Sequence, residues 1–171
     1  TEAHKRLDEV FHNLETAGTI SREDRFLLDA VYSGVNSRIV DSVFARVDIV
    51  GTDSALPMGG VAEARAWSPS AIQVERRITV AMDLHKKMNG NAKFGAAGVI
   101  LEEVGHMIDL QMRASNPTLW GRTVDTFLDT HGADLDPALK TIFGEVDPTT
   151  NVSEALARGY AATMLSDAAD R

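Results

Sequence analysis

The apolar residues of this chain change their spacing twice, and that pattern restricts the fold more than any other feature. Up to about residue 35 they recur every three or four positions, as Ala3, Leu7, Val10, Phe11 and Leu14 and then Phe26, Leu27, Ala30, Val31 and Val35. That is the spacing of one helix face. Gly18 closes the first run, and Ser21 with Asp24 forms an N-capping signature for a second helix starting near Arg22 and interrupted at Gly34. Between Ala45 and Arg77 the period falls to two. Residues 47–50, 61–67 and 71–76 are three short strand candidates, separated by the turn-rich stretch 51–60 and by Ser68-Pro69-Ser70. One-sided alternation implies a sheet with one face wet. After Met88-Asn89-Gly90-Asn91, a flexible connection, helical spacing returns. Phe94, Ala97, Leu101, Val104 and Ile108 mark a helix to about Met112, and further helices are expected over 117–131, 136–143 and 153–166. The expected architecture is α+β in one domain over 1–171: two N-terminal helices, a small, mostly antiparallel sheet, then a helical half.

Composition removes several classes of function. With 17 basic and 25 acidic residues the chain carries a net charge of −8, and no basic cluster interrupts it. Nucleic acid is therefore excluded as a partner, because a phosphate backbone is held by Lys and Arg that displace its counterions. The absence of cysteine rules out disulfides, thiolate metal sites and Cys nucleophiles. No apolar run reaches the roughly 18 residues of a membrane span, and no basic, apolar leader is seen. A soluble protein is expected, with the compartment left open. No Gly-x-Ser-x-Gly elbow is present, and Met58-Gly59-Gly60 lacks the Lys and Ser/Thr of a phosphate loop.

Chemistry concentrates in Glu102-Glu103-Val104-Gly105-His106-Met107-Ile108-Asp109. Residues four apart on a helix differ by about 40° around its axis, so Glu102 and His106 point the same way, with Asp109 close to the same line. Two acids and a histidine on the flank of a core-facing helix make half of a metal site.

This segment resembles the His-Glu-x-x-His helix of the zincin metallopeptidases. Glu103, Val104, Gly105 and His106 match four of five positions, Asp109 matches an Asp that often follows, and the departure is Glu102 in place of the first histidine ligand. The strand–turn–strand stretch upstream fits the family's edge strand, which receives an extended substrate. Downstream, Asn151-Val152-Ser153-Glu154-Ala155-Leu156-Ala157 resembles the Glu-x-x-Ala segment that gives gluzincins their third ligand. The order of elements matches over about residues 45–165 and is most similar to a minimal gluzincin of the anthrax lethal factor type. The resemblance implies a metal-dependent peptidase acting on a peptide or protein, as an exported bacterial effector or a domain of a larger exported protein. Glu102, His106 and Glu154 would be the metal ligands, Glu103 the general base, Asp109 a residue supporting a ligand, and Tyr160 an oxyanion donor. The implied metal is Zn. Glu102 makes the ligand set more anionic than His–His–Glu, weakening the polarisation of water and moving preference toward harder ions such as Mn or Ca.

Two other readings stay open on the sequence. Glu9 and His12 repeat the Glu-x-x-His spacing of Glu103 and His106, the arrangement of a di-iron carboxylate bundle, although the strand-like middle fits such a bundle poorly. The other is a catalytically inactive zincin-like module that binds or scaffolds, in which Glu102 and Glu103 face water and Glu154 lies far away.

Overall fold

The computed structural model describes residues 2–33, 47–70, 73–88, 95–115, 118, 122, 154, 157–161, 164 and 165. Its elements are α1 (Glu2–Thr16), α2 (Arg22–Ser33), β1 (Val47–Thr52), a 3-10 turn (Pro57–Gly59), β2 (Ala62–Ser70), β3 (Gln73–Ala81), α3 (Leu84–Met88) and α4 (Gly95–Ser115). Glu154, residues 157–161, Met164 and Leu165 are also helical and are called the C-terminal helical segment below.

The first helix forms on the face that the spacing marks: Leu7, Phe11 and Leu14 are buried. It ends at Gly18, whose φ of +78° lies in the left-handed region that only glycine enters freely. There the Thr19 N–H donates to the Leu14 carbonyl at 2.9 Å. The second helix starts on a reciprocal cap. The Asp24 N–H donates to Ser21 Oγ at 3.0 Å, and the Ser21 N–H donates to Asp24 Oδ2 at 2.9 Å. Asp24 also reaches α4, because its Oδ1 accepts from the Ala97 N–H at 3.4 Å. One side chain thus caps α2 and anchors the first turn of α4, which helps to fix the helix that carries the chemistry.

Three strands form a mixed sheet in the order β1-β3-β2. The β2–β3 pair is an antiparallel hairpin with Ala64 opposite Ile78, and β1 runs parallel to β3 with Ile49 opposite Ile78. Val47, Ile49, Ile78 and Val80 are buried on one face, whereas Arg77 is exposed. Against that face lie Ala97, Ile100, Leu101, Val104 and Met107 of α4, joined by Ala161 and Leu165 in one apolar cluster. Fully burying the Val, Leu, Ile and Met side chains among these is worth roughly 1.5–3 kcal/mol each. It fixes which flank of α4 is left for polar residues.

The α+β outline agrees with the sequence, and the sheet differs in detail. Only the hairpin is antiparallel. Residues 53–61, with the 3-10 turn, carry the chain past β3 to the outer edge, so β3 returns between β1 and β2. A turn signal announces a hairpin but does not say on which side an earlier strand will pair. Expected to stop before Ser68-Pro69-Ser70, β2 continues to Ser70, with a register shift between Trp67 and Ser70. Proline lacks the N–H of a ladder bond and is tolerated at such an edge. The five-residue α3, too short to show a period, was not expected. Expected helices over 117–131 and 136–143 lie outside the described residues, apart from helical Thr118 and Arg122, as do Gly34 and Val35. Among the described residues no helix is long and apolar enough to cross a membrane.

Candidate metal centre

The local sequence of α4 sorts its residues by burial. Leu101, Val104, Gly105 and Met107 are buried, while Glu102, Glu103 and His106 are half-buried at the flank of the apolar stripe. Gly105 permits the next step. A Cβ at this position would lie 2.8 Å from Ala157 Cα and 3.0 Å from the Ala157 carbonyl oxygen. The two helical backbones therefore touch, and Glu154, one turn before Ala157, is brought against α4.

The result is a convergence of residues far apart in sequence. His106 Nε2 lies 3.0 Å from Glu154 Oε1. One ligand atom from each of Glu102, His106 and Glu154 falls within 4.8 Å of the others, and these three form the metal-capable group found among the described residues. Donors bound to one divalent ion at about 2.0–2.2 Å sit roughly 3–4 Å apart. The His106–Glu154 pair already has that spacing, and the other pairs lie within 4.8 Å. The oxygen and imidazole donors fit zinc and harder divalent ions alike.

Burial, hydrogen bonds and neighbouring charges shift Glu102, Glu103 and Glu154. Glu102 is pushed up to about 7, first by burial and then by its hydrogen bond to Glu154 and the Glu154 and Glu103 charges, against the opposing pull of Arg158. Glu154 is lowered to about 2, chiefly because it accepts from His106, with Glu102 as a second donor. Burial works against a charged His106, but the hydrogen bond to Glu154 and the charges of Glu154, Glu103 and Glu102 raise it overall. Without a metal, Glu154 is therefore the most readily ionised acid of the cluster, while Glu102 and His106 hold their protons more tightly than usual. Glu103 is raised by burial, with the charges of Glu154 and Glu63 adding to the effect and His106 opposing it. Glu63 belongs to β2, an edge of the described sheet, so that strand lies close to the proposed base.

The remaining sequence candidates have other settings. Asp109 is buried, at 3% exposure, and is not in the ligand group. Tyr160 lies near the Tyr32 phenol and packs against the core, and burial raises both phenols. Tyr32 is itself stacked on Phe11 in the core. Glu9 and His12 are exposed on α1, where His12 Nδ1 accepts from Arg25 Nη1 at 3.0 Å, and neither joins the metal-capable group. His4 contacts the Tyr32 carbonyl and His85 contacts Asp24. Arg158, which the sequence reading passed over, lies with its Nε 3.4 Å from Glu102 Oε1. Its position four residues after Glu154, on the same helix face, is the signal that could have found it. Comparison of the chain with protein-family models, with curated proteins and with solved structures finds no match.

Proposed function

We propose that this chain is a metal-dependent hydrolase of zincin type that cleaves peptide bonds, with Glu102, His106 and Glu154 as ligands to Zn or a harder divalent ion. The observation that carries this reading is the approach of three ligand atoms to within 4.8 Å, from two helical segments 48 residues apart. A divalent ion at that point supplies Lewis acidity to the scissile carbonyl. Glu103 has the place and the environment of the general base. It sits beside the ligands without being one, and its raised proton affinity suits taking a proton from the attacking water and returning it to the leaving amine. The edge of β2, with Glu63 near Glu103, offers backbone groups to an extended peptide.

A second reading, a catalytically inactive module, loses the remote Glu154 and the water-facing Glu102 and Glu103 expected of it. Glu154 lies against His106, and both acids are half-buried. One feature favours it. The Arg158–Glu102 and His106–Glu154 contacts already pair the acids without an ion. Two measurements separate the readings. Untagged protein purified without chelator is expected to carry about one equivalent of metal by mass spectrometry, lost in His106→Ala. Glu103→Gln should keep that metal and lose peptide cleavage by a factor of about 10²–10⁴. Metal-free protein with no thermal shift on adding Zn or Mn would reject the hydrolase, and undiminished cleavage in Glu103→Gln would reject the base.

A further inference from the structure

Glu102 poses a problem that its neighbour Arg158 solves. Two acidic ligands and one neutral imidazole around a divalent ion make a set with formal charge near zero, one positive charge below a His–His–Glu set. Arg158 Nε lies 3.4 Å from Glu102 Oε1 as an ion pair rather than a hydrogen bond, with 24% of its own side chain and 19% of that of Glu102 exposed. Both ends are thus largely withdrawn from water, where an ion pair is screened less than at the surface. Arginine is charged at every accessible pH, so the charge is permanent.

We infer that Arg158 is a positioning residue that compensates for the acid at 102: it holds one oxygen of Glu102 so that the other faces the metal, and it restores the positive charge that a histidine ligand would have left on the centre. The helix supplies both partners from one face, since Glu154 and Arg158 are four residues apart. Close contact at Gly105 and Ala157 places that face against α4. This inference rests on the metal-binding reading, and it makes a claim that a merely structural ion pair does not. Arg158 should help only while residue 102 is an anion. Beside a neutral imidazole the guanidinium has no carboxylate to orient and only repels the cation.

The test is a double-mutant cycle read by calorimetric titration of Zn into the full chain at pH 7, with far-UV circular dichroism as the folding control. Arg158→Met is expected to weaken Zn binding by about 10–100-fold, the range found when a group orienting a metal ligand is removed. Arg158→Lys should recover part of that loss, having the charge without the planar fork. In a Glu102→His background, Arg158→Met should leave Zn affinity unchanged or increase it. A wild-type chain that takes no Zn would remove the metal reading itself. Zn binding within threefold of wild type in Arg158→Met, or an equal loss in both backgrounds, would overturn the role of Arg158 and leave the metal reading standing. Should Arg158→Met fail to fold, Arg158→Lys and Arg158→Gln carry the same comparison.

Discussion

Gly105 and Ala157 are in backbone contact: any side chain at 105 would begin 2.8 Å from Ala157 Cα. Through this approach one helix turn of α4 acquires its remote acid, because Glu154 stands one turn away from Ala157 and 3.0 Å from His106.

Gly105→Ala therefore has two opposed effects. In an isolated helix, alanine is better than glycine by about 1 kcal/mol. Here the added methyl meets main-chain atoms that cannot rotate away, and overpacking of this kind costs about 1–3 kcal/mol. The expected outcome is a lower melting temperature together with weaker Zn binding, read by calorimetry. A stabilised variant with unchanged Zn affinity would show that the helices are not held at this contact.

Stability and metal binding should respond to pH in opposite directions. Glu102, pushed up to about 7, and the raised Glu103 and His106 all hold protons more tightly in the folded chain than in an unfolded one. The stability they contribute is present at low pH and is lost as pH rises through their folded values. Lowered to about 2, Glu154 contributes above the ordinary carboxylate range and is constant over this interval. Metal-free protein should therefore melt lower at pH 8 than at pH 5.5, with a smaller slope in Glu102→Gln. Zn needs the ligands deprotonated, so its stabilising effect should be larger at pH 8. Thermal melts with chelator and with Zn at both pH values measure the two trends.

Tyr160 belongs, on its contacts, with the core rather than with the reacting groups. Tyr160→Phe keeps the ring packed against the core and is expected to change stability by about 1 kcal/mol or less, with turnover changed only a few-fold. Chemical denaturation and peptide-cleavage rates check the two halves. A hundredfold loss of turnover with little change in stability would restore the oxyanion role to Tyr160.

Where the sequence was readable, local physics was enough. The stripe Leu7, Phe11 and Leu14, the Ser21–Asp24 cap and the apolar face of α4 each need only neighbours within a turn or two. The placing of Glu102 beside His106 follows in the same way from four residues of helix. The side of β3 on which β1 pairs, and the engagement of Tyr160 with Tyr32, depend on contacts that no local pattern encodes. Arg158 was legible in its spacing from Glu154, but its meaning depends on Glu102, which lies 56 positions earlier and becomes a neighbour only when Gly105 meets Ala157.

The central claim is that Glu102, His106 and Glu154 share one divalent ion, and anomalous diffraction at the zinc edge from crystals grown with Zn tests it most directly. A single peak bonded to His106 Nε2 and to carboxylate oxygens of Glu102 and Glu154 at about 2.0–2.2 Å is expected. No peak at this cluster, with His106 still hydrogen-bonded to Glu154, would contradict it.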